Sequence, residues 1–306
     1  MVFKNIVSKN EFLYTKNGIS VYLKREDLLH PYISGNKFRK LKYNILEAQK
    51  EEHKTLLTFG GAHSNHISAV AYAGKLYNFK TIGIIRGEEL GMVIENTLEQ
   101  NTTLKFAASC GMKFKFITRS NYRNKNEESF ISNLKKEFGT VYIIPEGGTN
   151  KLAIKGCQEI LTSEDEKFDY ICTSVGTGGT LTGVINSLKH NQKAIGFSSL
   201  KGDFLKTEIN KLIPNNTNWN IQLNYHFGGF AKINIELITF INKFNEKYNI
   251  ALDPIYTGKM MFGINDLIEQ KVFKKGTNIL AIHTGGLQGI HAMNKKLTKK
   301  GLPQIA

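Results

Sequence analysis

The sequence lacks several features that would place the protein in a membrane or outside the cell. No apolar run approaches the roughly 20 residues that a membrane-spanning helix needs. Residues 1–18 contain no apolar core followed by a small-residue cleavage site, so we expect no signal peptide. The three cysteines, Cys110, Cys157 and Cys172, form neither a CxxC pair nor an even set. We therefore expect reduced thiols in a cytoplasmic protein without a membrane partner.

Acidic residues are scarce compared with basic ones, which raises the question of a nucleic-acid partner. The chain has 41 Lys and Arg against 26 Asp and Glu, giving a net charge of +15. The lysines are spread along the whole chain, and the aromatic residues do not alternate with them in a stacking motif. We therefore predict a solvated basic surface and no nucleic-acid partner. A basic nucleic-acid-binding protein stays open as an alternative.

Short apolar runs rich in β-branched residues recur along the chain and predict buried strands. Seven such runs cover 55–61, 80–87, 113–119, 140–148, 169–179, 193–199 and 277–286. Their apolar residues are continuous rather than alternating, as in strands that are buried on both faces of a parallel sheet. Helical patterns such as Leu41, Ile45 and Ala48 lie between the runs. This alternation of strand and helix predicts an α/β fold.

Glycine pairs end four of these runs, at 60–61, 147–148, 178–179 and 285–286. In open α/β sheets, ligands bind at the carboxyl ends of the strands. Glycine at such a position lets backbone N–H groups approach a ligand closely. Four loops of this kind could surround one ligand.

One of these loops, SVGTGGTLTG at 174–183, has the pattern of a phosphate cradle. A buried strand runs into a glycine-rich turn and then into a helix, whose N-terminus favours an anion. The loop is not a Walker A motif, and a GxGxxG pattern from Gly176 fails at Leu181. Ser198 and Ser199 stand where a dinucleotide site needs an acidic residue. A single phosphate on a compact cofactor therefore fits better than a nicotinamide dinucleotide.

A lysine at the start of a predicted helix points to the chemistry of that cofactor. In ISGNKFRKLKYN, at 33–44, Lys37 follows a turn and stands among other cations. A helix N-terminus and nearby cations favour the neutral amine, which can attack a carbonyl and form a Schiff base. Together with a phosphate loop, this pattern suggests pyridoxal 5'-phosphate (PLP). A solvated surface lysine stays the alternative.

Six motifs occur in an order that resembles one enzyme family. They are SGNKFRKL, FGGAHSNH, PEGGTN, VGTGGTLTG, DPIYTGKM and HTGGLQG, between about Val21 and Gly289. Together they resemble the 1-aminocyclopropane-1-carboxylate (ACC) deaminase / D-cysteine desulfhydrase family of PLP-dependent enzymes. Enzymes of this family have PLP fold type II and belong to the tryptophan synthase β-like group.

The resemblance implies a two-lobed, three-layer αβα fold with parallel sheets. We expect residues 1–40 and 158–306 to form a larger PLP-binding domain, and residues 41–157 to form a smaller domain. The cofactor would lie in the cleft between them. The resemblance also implies a homodimer.

The resemblance further implies which residues hold the cofactor. Lys37 would form the Schiff base and shuttle protons, and Lys40, one turn further along the helix, would reach the cofactor phosphate. Asn65 would lie by the ring hydroxyl, and Thr284 would lie near the pyridine nitrogen. The turn that cradles the phosphate would consist of Gly176, Thr177, Gly178, Gly179 and Thr180.

A second group of residues would contact the substrate, a small amino acid. Ser64 would lie by the reacting carbon, where it would hold the substrate carboxylate or move protons. Tyr256 would face the substrate and assist in acid–base catalysis. Asn65, His66 and Phe230 would complete this part of the site.

Two other kinds of site are disfavoured by the residues around Ser64. His63 and His66 form an HxxH pair, but no HExxH pattern and no third ligand accompany them. We therefore predict no metal site and interpret both as hydrogen-bonding loop residues. No GxSxG elbow surrounds Ser64, so a serine hydrolase is a poor fit.

Two departures from the family pattern bear on the substrate. Thr257 follows Tyr256 where ACC deaminases typically carry a glutamate, and Phe230 stands where many relatives have a tyrosine. Phenylalanine cannot transfer a proton, which disfavours ACC deamination if ring opening needs that hydroxyl. D-cysteine carries a good leaving group and needs no such hydroxyl. We therefore expect β-elimination of D-cysteine to pyruvate, ammonia and hydrogen sulfide. ACC deaminase activity, which gives 2-oxobutanoate and ammonia, is the first alternative. D-serine, β-chloro-D-alanine and L-amino acids stay possible substrates, and a non-catalytic anion- or nucleic-acid-binding protein is the alternative of another class.

Overall fold

The structure is a computed structural model that describes residues 6–306, in which ten strands form two sheets. The strands are β1 (Asn10–Lys16), β2 (Ile19–Lys24), β3 (Thr55–Gly61), β4 (Lys80–Arg86), β5 (Lys113–Ile117), β6 (Tyr142–Ile144), β7 (Tyr170–Val175), β8 (Lys193–Ser198), β9 (Trp219–Gln222) and β10 (Asn278–Ile282). The helices are α1 (Asn36–Lys50), α2 (Asn65–Tyr77), α3 (Ile94–Gln100), α4 (Thr102–Ser109), α5 (Arg119–Arg123), α6 (Glu128–Phe138), α7 (Lys151–Gln158), α8 (Gly179–Ser187), α9 (Phe204–Leu212), α10 (Ile235–Tyr248), α11 (Thr257–Glu269) and α12 (Gly289–Lys299). Within 6–306, none of these helices has the length and apolar character needed to cross a membrane.

The two sheets are almost entirely parallel, which confirms the predicted α/β fold. One sheet has six strands in the order β1-β2-β10-β7-β8-β9, and the other has four in the order β5-β4-β3-β6. All seven predicted strands are present. The structure adds β1, β2 and β9, and β1 pairs with β2 in the only antiparallel contact between the described strands. Asn17 and Gly18 join these two strands with φ of 53° and 78°, the conformation of a tight type I′ turn.

Helices cover both faces of each sheet, as expected for the three-layer αβα fold that the family resemblance implies. Along β10, Ile279 and Ala281 enter one hydrophobic core, whereas Leu280 and Ile282 enter another on the opposite face. In the four-stranded sheet, Leu56 and Leu57 likewise belong to different cores. A strand whose neighbouring residues are both buried needs apolar residues throughout, which explains the continuous runs.

Three closely packed helices, α1, α7 and α8, lie between the two sheets. A Cβ on Gly156 of α7 would lie 2.0 Å from the carbonyl oxygen of Arg39 in α1, and a Cβ on Gly183 of α8 would lie 2.4 Å from the Cβ of Cys157. Only glycine permits these approaches. The predicted domain boundaries at 40/41 and 157/158 fall inside α1 and α7, and the division into domains stays a prediction.

The N-terminus of α1 is fixed against the carboxyl end of β10. Gly35 precedes the helix with φ of 61°, and a Cβ there would lie 2.0 Å from the carbonyl oxygen of Thr284. The N–H of Asn36 donates a hydrogen bond of 3.3 Å to the same carbonyl. This contact brings the start of α1, and with it Lys37, to the edge of the six-stranded sheet.

We predict that Gly35→Ala lowers the free energy of unfolding by about 3 kcal/mol, because it adds a steric overlap with Thr284 to an unfavourable φ. Gly139→Ala is the matched control, since Gly139 has φ of 74° and a Cβ there would meet no atom within 4 Å beyond its chain neighbours. The control should cost only about 1 kcal/mol. Urea unfolding of both cofactor-free variants measures the difference, and equal losses would show that the Thr284 contact is unimportant.

Candidate active site

A large cavity of about 620 Å³ brings the predicted site residues together at the carboxyl ends of β3, β7 and β10. Its walls come from both sheets and from the loops that end in glycine pairs. All the residues predicted to bind cofactor or substrate line it, except Gly179, which begins α8 behind the cavity wall. The lining residues from that set are Lys37, Lys40, Ser64, Asn65, His66, Gly176, Thr177, Gly178, Thr180, Phe230, Tyr256 and Thr284.

Lys37 presents its amine to this cavity from the first turn of α1. Its Nζ donates a hydrogen bond of 2.9 Å to Oδ1 of Asn36, and the Asn36 amide in turn donates to Oγ1 of Thr180 at 2.9 Å. Burial lowers the pKa of Lys37 to about 7, and the positive charge of Lys40 contributes to this shift. Lys37 therefore has a substantial neutral fraction near pH 7, as a nucleophilic lysine requires.

The glycine-rich turn before α8 and the side chain of Lys40 line another part of the cavity. Gly178 takes φ of 83°, so the chain turns sharply and the N-terminus of α8 faces the cavity. Lys40 is 2% exposed, and its Nζ lies 3.0 Å from the Gly147 carbonyl oxygen, 3.1 Å from Thr149 Oγ1 and 3.5 Å from Thr177 Oγ1. Lys40 thus lies beside the turn, where it can neutralise a bound phosphate.

Ser64 is the N-cap of α2, and this role leaves its hydroxyl proton free. Its Oγ accepts hydrogen bonds from the backbone N–H groups of His66 at 3.2 Å and Ile67 at 3.4 Å. Because both contacts use the oxygen as an acceptor, the O–H can still donate to a ligand. The N-terminus of α2 adds partial positive charge at this point, which favours a carboxylate.

His66 lies in the first turn of α2, so its interpretation as a loop residue is wrong. The capping residue Ser64 could have indicated this position, because a helix capped by Ser64 has His66 as its second residue. The ring is 1% exposed, and its Nε2 lies 2.8 Å from Oγ1 of Thr58. That hydroxyl can donate to the Ile144 carbonyl, which lies 2.8 Å away, while its oxygen accepts from Nε2 of His66. Burial, followed by Lys37 and Lys40, lowers the pKa of His66 well below its usual value, so the ring is neutral.

His63, the other member of the HxxH pair, lies in the loop before α2 as predicted. Its Nδ1 is 3.4 Å from Nδ2 of Asn101, and burial lowers its pKa, with further contributions from Lys296 and Lys295. Across the part of the chain that the structure describes, no group of three or more His, Cys, Asp or Glu residues is placed to hold a metal ion.

Asn65 and Thr284 also line the cavity. Oδ1 of Asn65 is buried and has no hydrogen-bond partner among residues 6–306. Thr284 Oγ1 lies 3.1 Å from Oγ of Ser174, so one hydroxyl of this pair can donate to the other and leave a proton for a ligand. An unpaired buried polar atom is costly, and a ligand group that pairs with it removes that cost.

Tyr256 and Phe230 form the wall on the substrate side. Their rings meet edge to face with centroids 6.2 Å apart, and Phe230 is 49% exposed at the cavity mouth. Burial raises the pKa of Tyr256, and the carboxylates of Asp253 and Glu146 raise it further. The Tyr256 hydroxyl therefore stays protonated at neutral pH and can act as a proton donor.

Thr257, one of the two departures from the family pattern from which the substrate was inferred, does not line the cavity. Its hydroxyl donates a hydrogen bond of 2.6 Å to Oδ2 of Asp253 and accepts one of 2.9 Å from the Asp253 backbone N–H. The side chain is fully buried at the start of α11. Its role in this structure is to hold the loop before α11 in shape.

Three charged residues line the cavity that were not among the predicted site residues. Glu146 accepts a hydrogen bond of 2.8 Å from the Tyr122 hydroxyl, and it stands inside the PEGGTN motif. Arg86 ends β4 directly opposite Gly61, so the glycine pair at the end of β3 could have indicated it. No motif in the sequence indicated that Lys296, on α12, would line the cavity.

Known proteins resemble this chain over most of its length. Residues 9–285 match the family model described as pyridoxal-phosphate dependent enzyme. The bifunctional D-cysteine desulfhydrase/1-aminocyclopropane-1-carboxylate deaminase of Arabidopsis thaliana is 30% identical over 300 residues, which are 90% of this chain and 74% of that protein. The crystal structure of an ACC deaminase homologue has a TM-score of 0.79 at 29% identity and covers 96% of this chain and 94% of that one. An O-acetylserine-dependent cystathionine β-synthase from Helicobacter pylori shares the fold, with a TM-score of 0.65 at 17% identity over 93% of this chain and 94% of that one. These matches confirm the resemblance, the fold type and the cofactor predicted from the sequence.

The cavity itself fits PLP. Three of its features each match one group of that cofactor: the turn at Gly178 with Lys40 suits the phosphate, the unpaired Oδ1 of Asn65 suits the ring hydroxyl, and the amine of Lys37 suits the aldehyde. A Cβ on Gly176 would lie 3.1 Å from the ring of Tyr256, so a larger residue would narrow the cradle. The residue roles themselves stay predictions.

We predict that PLP attaches to the cofactor-free protein at a rate that rises with pH and levels off just above pH 7. The reason is that only the unprotonated amine reacts, and the pKa of Lys37 is about 7 rather than 10.5. Stopped-flow absorbance measures this rate. Lys40→Met should move the midpoint to higher pH because it removes a positive charge beside Lys37. The control Lys50→Met, on the exposed end of the same helix, should leave the midpoint unchanged. A wild-type rate that keeps rising to pH 10 would contradict the prediction.

Proposed function

The chain belongs to the pyridoxal-phosphate-dependent enzyme family, and we propose that it is a lyase that eliminates the β-substituent of a small D-amino acid, with D-cysteine as its first substrate. The observation that carries this proposal is the convergence of three groups in one cavity. They are the amine of Lys37, with its pKa near 7, and the hydroxyls of Ser64 and Tyr256. The wall beside them ends in Phe230, which can neither give nor take a proton.

Proton removal from the substrate is the task of Lys37. Bound PLP withdraws electrons from the α-carbon of the substrate, which makes the α-proton acidic. Lys37 would hold the cofactor, and its amine, when free, would accept that proton. A base with a pKa near the working pH is best suited to this step.

Substrate orientation rests on Ser64 and the start of α2. The free O–H of Ser64 and the N-terminus of the helix together favour the carboxylate of the substrate. The substrate carboxylate would be fixed at Ser64 and its amine at the cofactor. The α-proton and the side chain would then be free to turn toward Lys37 and Tyr256.

Departure of the β-substituent completes the reaction. When the α-proton is lost, the Cβ–S bond breaks and sulfur leaves with the electron pair as HS⁻, which takes up one proton to become hydrogen sulfide. The Tyr256 hydroxyl, held protonated by burial and by neighbouring carboxylates, can supply it. Hydrolysis of the remaining enamine consumes one water. The balanced reaction converts D-cysteine and water to pyruvate, ammonia and hydrogen sulfide.

ACC deamination to 2-oxobutanoate and ammonia is the second candidate. It is favoured by the names of the related proteins, one of which carries both activities in its name. Phe230 argues against it, because its side chain offers no second hydroxyl beside Tyr256 for ring opening. We also propose that the enzyme is a cytoplasmic homodimer without a nucleic-acid partner, based on the family resemblance, the free thiols and the dispersed lysines.

We predict that the wild-type protein loaded with PLP releases sulfide and pyruvate from D-cysteine, and that Tyr256→Phe lowers kcat by about 100-fold. Lead acetate or methylene blue detects the sulfide, and lactate dehydrogenase detects the pyruvate. Tyr14→Phe is the control, because Tyr14 is also a tyrosine with a pKa raised by burial but lies outside the cavity. It should keep full activity.

The outcome with ACC decides between the two candidates. Formation of 2-oxobutanoate from ACC, without sulfide from D-cysteine, would overturn the desulfhydrase proposal in favour of the deaminase. Activity toward neither substrate, in a protein that binds PLP, would overturn both.

A further inference from the structure

One face of α11 holds the loop 226–232, which carries Phe230. The contacts come from Tyr256, just before the helix, and from Lys259 and Phe262, spaced three residues apart so that they lie on one side. Tyr256 meets Phe230, and the ring of Phe262 meets that of Phe227 edge to face at 5.0 Å. Lys259 lies between these two aromatic contacts.

The ammonium of Lys259 binds the backbone of this loop at two points. Its Nζ donates to the carbonyl oxygen of His226 at 2.8 Å and to that of Gly229 at 2.9 Å. Each carbonyl also closes a turn, accepting from the N–H of Gly229 at 3.0 Å and of Lys232 at 3.2 Å, respectively. Two consecutive turns therefore converge on one charged group that is 1% exposed.

The loop needs such an anchor because its backbone is strained. Phe227 and Ala231 take φ of 53° and 54°, a conformation that is unfavourable for residues with a side chain. Gly228 and Gly229 between them have φ of 91° and 115°. Strained conformations persist only where surrounding contacts hold them, and they often mark functional loops.

Burying the ammonium of Lys259 costs free energy, which indicates that its contacts with the loop have a role. Burial lowers the pKa of Lys259 to about 8, although Asp253 acts in the opposite direction. The mechanism proposed above makes no use of this residue, and its amine donates to backbone carbonyls rather than to the cavity. A methionine would fill the same space without a buried charge, so the hydrogen bonds are what distinguishes lysine here.

We propose that Lys259 is a positioning residue: its ammonium fixes the loop 226–232 so that Phe230 stands against Tyr256, and it thereby sets which amino-acid side chain the site accepts. This inference rests on the proposed function for the identity of the substrate. Lys259 touches neither substrate nor cofactor and acts through Phe230.

Hydrogen exchange of the PLP-loaded protein tests the structural half of the proposal. Lys259→Met should speed exchange at the hydrogen-bonded amides of Gly228, Gly229 and Lys232 by about tenfold or more. Lys24→Met is the matched control, because Lys24 is equally buried at 1% exposed but pairs with Asp165, outside the cavity. That variant should leave the exchange of the loop at the wild-type rate. Equal protection of the loop in wild type and Lys259→Met would overturn the proposal.

Steady-state kinetics tests the functional half. Lys259→Met should raise KM for D-cysteine about tenfold while kcat changes less, because substrate placement is lost and the proton-transfer groups remain. Phe230→Ala should reproduce this effect, and the double variant should be no worse than either single one, since both act through the same contact. Additive effects would show that Lys259 acts by another route.

Two further outcomes distinguish a failure of the Lys259 proposal from misfolding and from a failure of the proposed function. If Lys259→Met does not fold, Lys259→Gln keeps N–H donors on a shorter side chain and should loosen the loop partially; an unchanged loop in that variant would contradict the proposal. If the wild type converts ACC but not D-cysteine, the proposed function fails. The exchange measurement then still decides the role of Lys259, with ACC as the substrate for kinetics.

Discussion

Gly35 and the carbonyl group of Thr284 approach each other so closely that no side chain fits between them. This contact joins the N-terminus of α1 to the carboxyl end of β10, and most of the site depends on it. It places Lys37 in the cavity, and through Asn36 it links α1 to Thr180 at the start of α8. Because α1 also packs on α7, and α7 on α8, one close contact sets the position of the reactive amine relative to both walls of the cavity.

Basic side chains outnumber acidic ones around the cavity, which is lined by Lys37, Lys40, Arg86 and Lys296 against Glu146. Lys37 and Lys40 are both lysines whose pKa is lowered by burial, and the neutral His66 lies beside them. The N-termini of α2 and α8 face the same space. A phosphate between Lys40 and α8, and a carboxylate at Ser64, would each supply the negative charge that these groups lack. The same arrangement keeps Lys37 close to neutral, so binding and reactivity have a common physical origin.

Much of this architecture could be predicted because it depends on local patterns. Strands buried on both faces need continuous apolar runs, and glycines at their ends mark the ligand loops, so the seven parallel strands and the cradle were found. Strands β1, β2 and β9 were missed. β1 is a partly exposed edge strand, β9 has only four residues at the other edge, and β2 is mostly buried but alternates apolar with polar residues, although Asn17-Gly18 signals the turn between β1 and β2. The orientation of Thr257 and the anchoring by Lys259 depend on which way a side chain turns after the helix has packed, and sequence spacing does not determine that.

Reductive trapping tests whether Lys37 is the residue that holds the cofactor. The PLP-loaded protein is reduced with borohydride, which makes the link between lysine and cofactor permanent, and is then digested and analysed by mass spectrometry. We expect the cofactor mass on the peptide that carries Lys37, and none in Lys37→Ala. Modification of Lys40 or of another lysine in the wild-type protein would show that Lys37 does not hold the cofactor.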